Sequence, residues 1–294
     1  MALQNLIKLS LEEHLSYFPS STVGIDIGQS LSKLVYVKDN ELHLSINPTE
    51  KNHLKIKEFI ESNKNLFSNF NFTGGKSYGL SQQYSGDFNT QLINEFEANV
   101  KGVEIFYRIE QNRDFPPSLV VTMGTGTSIV LKKETYEHLG GSAMGGGLFM
   151  GLIKALFNIN DFQDALGLAK KGNRYNVDLK VSDIYAPEDD RVDLLFREFT
   201  AASLGKIDLN FNMNTLKKED FINSTICMIG ENIGTIANSM AVNNNISSIV
   251  FCGGFLRENK VVTKILSLIC RVNKNKAIFL KNSEFCAAIG ALCL

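Results

Sequence analysis

TVGIDIGQSLSKLVYVK, residues 22–38, is the stretch on which the fold turns. Thr22–Ile27 and Leu31–Lys38 are apolar, β-branched runs on either side of a short turn holding Gly28, which reads as strand, turn and returning strand. A carboxylate, Asp26, stands two residues before the glycine, and the Ser30 hydroxyl and Lys33 ammonium follow it. A third strand is expected over Leu42–Ile46. Ile56, Phe59, Ile60 and Phe67 then fall at helical spacing, so a helix is expected over 51–67. A short aromatic run leads to the glycine turn Thr73-Gly74-Gly75. Beyond it Phe96, Val100, Val103 and Tyr107 recur at helical intervals, so a strand ending near Asn94 should give way to a helix.

Pro116-Pro117 stops a helix and favours extended chain, which makes it the expected boundary between lobes. Directly after it, Leu119–Met123, a Gly-Thr-Gly-Thr turn and Ser128–Lys132 repeat the device of residues 22–38. The expected organisation is therefore a short amphipathic lead-in over 1–20, a first lobe over 21–117 and a second over 118–294, the two lobes of related plan and facing each other. In the second lobe, Gly145-Gly146-Gly147 opens an apolar helical stretch. Ile222, Ile226, Ile229, Ile233, Ile236 and Met240 form one stripe of a long helix over 215–242. An Asn-rich turn, the strand Ile246–Cys252 ended by Gly253-Gly254, a helix over 259–270, a strand over 277–280 and an apolar helical tail complete an α/β chain.

The bulk numbers agree with a sizeable core: 294 residues, 44% hydrophobic and 21% charged. A net charge of −1 gives no electrostatic reason to expect nucleic acid or an anionic membrane as partner. The five cysteines form no CxxC pair and lie among apolar residues, which reads as buried thiols in a reducing compartment. No apolar run approaches the ~20 residues of a transmembrane helix. Lys8, Glu12, Glu13 and His14 interrupt any secretory segment, so the cytoplasm is the expected location.

Four glycine turns stand out, at Gly28, Gly124/Gly126, Gly145–Gly147 and Gly253-Gly254. Glycine lets backbone N–H groups approach a phosphate, and a following helix N-terminus adds a partial positive charge. One such turn is what any hairpin carries. Four in this order, two of them opening helices, point to a polyphosphate. Asp26 can hold Mg²⁺ through water while Ser30 and Lys33 face the phosphates. A turn aspartate and a surface lysine are the plainer alternative. Neither GxxxxGK[ST] nor a strand-GxGxxG-helix unit occurs.

Taken together, Gly24-Ile25-Asp26-Ile27-Gly28, Gly124-Thr125-Gly126-Thr127-Ser128, the run Gly140–Gly147, Asn176-Val177-Asp178, Phe251-Cys252-Gly253-Gly254 and Ala288-Ile289-Gly290-Ala291 resemble, in order and spacing, the motifs of the type II pantothenate kinases. The resemblance implies two ribonuclease H-like lobes of the actin/hexokinase-like kinase fold, with ATP and Mg²⁺ in the cleft and pantothenate as acceptor. It implies Asp26, Gly28, Ser30, Lys33, Gly124, Gly145, Gly146, Gly147, Gly253 and Gly254 on the nucleotide. It further implies Thr125, Ser128 and the position of His138 on pantothenate, a homodimer, and coenzyme A or an acyl-CoA as feedback ligand.

Glu95, in Asn94-Glu95-Phe96-Glu97-Ala98, stands at the general-base position of the resembling segment, and only that register prefers it to Glu97. Helix capping is the structural alternative for either. His138 occupies a position where the family carries arginine. A histidine cannot make a bidentate fork to a carboxylate, so other acceptors, pantetheine or an amino sugar, are the rival reading, followed by a catalytically weak regulatory homologue. An ATPase that activates another enzyme would need clustered cysteines for an iron–sulfur centre, and these are scattered.

Overall fold

The computed structural model describes residues 6–10, 14–191, 193 and 196–294, and its two large sheets share one plan. In the first, β2 (Thr22–Ile27), β3 (Leu31–Lys38) and β4 (Glu41–Pro48) form an antiparallel meander, joined at one edge by β1 (Leu6–Ser10). After α1 (Leu54–Asn63), β5 (Asn69–Thr73) pairs parallel to β2, and after α2 (Tyr78–Tyr84), β6 (Asn89–Leu92) pairs parallel to β5. The chain then runs through α3 (Glu95–Gln111) and Pro116-Pro117 into the second sheet. There β7 (Ser118–Met123), β8 (Thr127–Lys132) and β9 (Tyr136–Ser142) are again an antiparallel meander.

α4 (Gly146–Phe157), α5 (Phe162–Ala169), a small pair of strands β10 (Leu179–Lys180) and β11 (Thr200–Ala202), and α6 (Lys218–Asn243) follow. β12 (Ser248–Cys252) then pairs parallel to β7, α7 (Lys260–Val272) intervenes, β13 (Lys276–Phe279) pairs parallel to β12, and α8 (Cys286–Cys293) ends the chain. The strand orders β1-β4-β3-β2-β5-β6 and β13-β12-β7-β8-β9 make the shared plan explicit.

Three apolar layers hold this together. Val23, Ile25, Phe70 and Phe72 pack with Ile56, Phe59 and Ile60 of α1 outside the first sheet. Leu119, Val121 and Phe251 pack with Phe149, Ile226, Ile233 and Leu266 outside the second. Between the sheets, Val35 and Leu44 meet Val120, Val130 and Val250 through α3 and α8. Successive strand residues face opposite sides, and both sides are covered, so the strands read as unbroken apolar runs.

The structure corrects several expectations. Part of the lead-in is β1, which pairs with β4 from Leu6↔Ser45 to Ser10↔Glu41 and ties Lys8 to Glu41 at 3.1 Å. The helix expected over 51–67 spans only Leu54–Asn63, because His53 at φ 52 sits in the left-handed region ahead of it. α2 and β9 lacked an apolar period and escaped the sequence reading. The long helix begins at Lys218, and Ile222, Ile226, Ile229 and Ile233 on its stripe are fully buried in the same chain. Ile236 and Met240 on the same stripe are half-buried and pack against the same core. The apolar tail is the helix α8, but it packs on β2 and β5 of the first sheet. All five cysteines are free, and only Cys293 is less than fully buried. Among the described residues no helix is long and apolar enough to cross a membrane.

Candidate active site

Asp26 and Lys33 are directly opposed across the β2–β3 hairpin, and the Lys33 ammonium donates to Asp26 Oδ2 at 2.6 Å. The Asp26 carboxylate is buried. Gly74, at φ +91, lies against it: a Cβ there would sit 2.5 Å from Asp26 Oδ1 and 2.7 Å from the Ile27 carbonyl oxygen. Both the backbone conformation and the lack of room demand glycine. The sequence reading noted this turn without giving it a task. Thr49 fastens the hairpin tip, its hydroxyl donating to the Gly28 carbonyl at 2.9 Å and its N–H to the Ser30 carbonyl at 2.9 Å.

The second hairpin meets the first across the cleft. Ser30 Oγ lies 3.0 Å from Thr125 Oγ1, at the tip of the β7–β8 turn. The glycine run 145–147 supports that turn from beneath. Gly146 N–H donates to the Gly124 carbonyl at 2.8 Å and Gly147 N–H to the Thr125 carbonyl at 2.9 Å. A Cβ on Gly145 would lie 2.8 Å from those same carbonyl oxygens. A Cβ on Gly253, which takes φ +104, would lie 2.5 Å from the Met123 carbonyl oxygen, and one on Gly254 3.3 Å from Leu31 of the first hairpin.

The N–H groups of Gly28, Gly124, Gly146, Gly147 and Gly253 all donate to protein carbonyls, of Leu31, Gly126, Gly124, Thr125 and Ser283 in turn. In this arrangement each of the five is engaged within the protein. These glycines bring the loops together, and what they bring to the cleft is side chains: Asp26, Lys33, Ser30 and Thr125.

Glu95 is the first residue of α3. Asn94 caps the helix, its side-chain oxygen accepting from Phe96 N–H at 2.8 Å and, at 3.4 Å, from Glu97 N–H. The helix is placed by glycine contacts on α8. A Cβ on Gly102 would fall inside the Cys286 carbonyl, one on Gly290 inside the Ala98 carbonyl, and one on Gly24 of β2 inside the Ala288 carbonyl. α8 thus fixes the helix that carries Glu95 against the strand that carries Asp26. Glu95 reaches solvent at the cleft but is crowded by protein around it, and its pKa is raised above the usual carboxylate range. Burial is the first cause and the Asp26 charge the second, with Lys33 opposing.

Glu97 points elsewhere: the Tyr136 hydroxyl of β9 donates to Glu97 Oε2 at 3.5 Å. His138, also on β9, lies flat on Phe96, with ring centroids 4.0 Å apart and planes 12° apart. Ser128 is half-buried on β8, paired with Thr122 and Gly141. Phe96 and Tyr136 were missed by the sequence reading; an aromatic directly after the base and another two residues before His138 were the available signals.

A buried carboxylate with an ammonium, two facing hydroxyls and a second, crowded carboxylate can bind an anion and accept a proton. The donor set also fits Mg²⁺, which takes one or two carboxylates and completes its shell with water and substrate phosphate. Among the described residues no group of three His, Cys, Asp or Glu forms an all-protein metal cage.

Residues 40–294 match the model of the Fumble family. The type II pantothenate kinase of Bacillus cereus strain G9842 is 32% identical over 274 residues, covering 92% of this chain and 97% of that one. The enzyme of the same name from Oceanobacillus iheyensis is 34% identical over 274 residues, covering 92% and 98%. In fold the chain is similar to the ROK hexokinase of Thermus thermophilus, with TM-score 0.54 at 11% identity over 92% of this chain and 96% of that one. It is likewise similar to a ROK family glucokinase of Streptomyces griseus solved with glucose and AMPPNP, with TM-score 0.54 at 12% identity over 92% and 97%. At such identities the likeness to the sugar kinases concerns architecture: two lobes of the actin/hexokinase type.

Proposed function

We propose that this chain, which belongs to the Fumble family of type II pantothenate kinases, carries out phosphoryl transfer from ATP to the primary hydroxyl of pantothenate with Glu95 as general base. The product is 4′-phosphopantothenate, the first intermediate of coenzyme A synthesis. The observation that carries the residue assignment is the Asp26–Lys33 pair where the Ser30 and Thr125 hairpins meet, with the segment leading to Glu95 tied beside it by Thr73, which pairs with Asp26 and donates to the Ile93 carbonyl at 3.0 Å.

Glu95 takes the hydroxyl proton as the alcohol oxygen bonds to the γ-phosphorus, and the bond between that phosphorus and the bridging oxygen breaks to release ADP. A base whose pKa is drawn upward toward neutrality accepts a proton more effectively than an ordinary glutamate. Such a base supplies about 10²–10⁴-fold. Lys33 offers its ammonium to the phosphates and balances the carboxylates around it. Ser30 and Thr125, now bonded to each other, are the hydroxyls best placed to turn toward the transferring group. Asp26 would hold Mg²⁺, directly or through water, and the ion would supply charge neutralisation between the phosphates. The glycines set the backbone contacts that make this cleft.

The test is ADP release with pantothenate, pantetheine, N-acetylglucosamine or no acceptor, in the presence and absence of Mg²⁺. Turnover that depends on pantothenate and on Mg²⁺ is expected. A preference for N-acetylglucosamine, or hydrolysis indifferent to acceptor, would sink the assignment.

A further inference from the structure

We propose that the Phe96–His138 stack is an interlobe clamp that sets the position of Glu95, which makes His138 a positioning residue; this rests on Glu95 being the base. Phe96 is the neighbour of Glu95 in the first turn of α3, and it packs into the apolar layer between the sheets. His138 reaches it from β9, an edge strand of the other sheet. At 4.0 Å and 12° the two rings are in van der Waals contact over a face, leaving no space for a substrate between them.

Local backbone explains the aim of the ring. The β8–β9 pairing shifts register between Ile129 and Val130, and Gly140 beside it takes φ +128. A bulge of this kind re-aims the side chains next to it. Two residues back on β9, the Tyr136 hydroxyl reaches Glu97 at 3.5 Å, so the strand grips the first turn of α3 at two points. The rest of α3 is held by α8 through Gly102 and Gly290. The second lobe also touches α3 farther along, through Lys132 to Glu104 at 3.2 Å and Lys281 N–H to Glu110 at 2.7 Å, but its hold on the first turn, next to Glu95, is this grip from β9. A shift of the lobes would carry Phe96, and Glu95 with it.

The experiment compares H138A, H138F, F96A and the double variant F96A/H138A. Pantothenate is varied at saturating ATP, and amide hydrogen exchange is followed over residues 94–99. H138A and F96A should each lower kcat about tenfold with pantothenate KM changed by no more than about twofold, the signature of a misplaced group rather than a lost ligand. The double variant should be no worse than either single one, because the two side chains make one contact. H138F keeps a flat ring on Phe96 and should restore most of the rate. Exchange over 94–99 should quicken in H138A.

A rise of about tenfold or more in pantothenate KM in H138A at unchanged kcat, unrescued by H138F, would make the imidazole an acceptor ligand and overturn the clamp. So would multiplying effects in the double variant, or unchanged exchange over 94–99. Absence of pantothenate turnover in the wild type would instead defeat the functional reading, and the exchange measurement would still decide the clamp.

Discussion

Replacing Gly290 by alanine tests how the base is held. In an exposed helix, Gly→Ala stabilises by up to about 1 kcal/mol. At Gly290 the added Cβ would fall inside the Ala98 carbonyl of α3, and the obstacle is backbone, which cannot rotate away. To regain ordinary contact the two helices must part by about 1–2 Å. Overpacking of this kind costs about 1–3 kcal/mol, which exceeds the helix gain. At roughly 2–4 °C per kcal/mol, the melting temperature should fall by about 2–12 °C. The displacement also moves the N-terminus of α3, and misplacing a catalytic group by ~1 Å can cost about 100-fold, so kcat should drop by about 10–100-fold. Gly151 of α4 is the control, since a Cβ there meets nothing within 4 Å. G151A should melt at or slightly above the wild-type temperature. Thermal denaturation and steady-state kinetics decide the matter: a G290A protein that melts higher than wild type, as G151A does, would refute the α3–α8 contact.

The remaining predictions concern pH and the buried network. Glu95 must be ionised to act, so its raised pKa places the acid limb of kcat/KM above the ordinary glutamate value of about 4.3. D26N removes a charge that raises it and should move the limb to lower pH, while K33Q removes an opposing charge and should move it higher. A carboxyl whose folded pKa is raised lends stability at low pH and loses it as pH rises through that pKa. E95Q should therefore raise the melting temperature at neutral pH, with the gain fading as pH falls. Arg174 is a separate case: it is buried and donates to Asp178 and, at 2.6 and 2.9 Å, to both oxygens of Glu231. R174M should cost about 3–5 kcal/mol by stranding Asp178, which also accepts from Ser224 and from Leu204 N–H. Faster proteolysis between 170 and 206 is the check.

The sequence was most legible where one period ran long enough to be counted. The hairpins at 22–38 and 119–132, the helix carrying Ile222 to Ile233, and the repeated plan of the two lobes could all be read that way. β9 was not legible because an exposed edge strand of the form Tyr-Glu-His has no apolar alternation, whereas β1 does alternate, with Ile7 and Leu9 on one face, but five residues are too few to tell a strand from an amphipathic lead-in. The destination of α8 was beyond reach, since an apolar tail does not say which sheet it covers. Candidate site residues could be proposed in the hairpins because turn chemistry is local. The glycines mark the limit of local reading: a sequence shows that a close approach is possible, but not whether a phosphate or another peptide makes it. Glu95 and Glu97 differ only in three dimensions, the first crowded and feeling the charges of Asp26 and Lys33, the second bonded by Tyr136.

That difference also provides the most direct measurement: pantothenate-dependent ADP release by wild type, E95Q and E97Q at saturating ATP. The account predicts turnover in the wild type, a loss of about 10²–10⁴-fold in E95Q and a far smaller change in E97Q. Full activity in E95Q with loss in E97Q would contradict it.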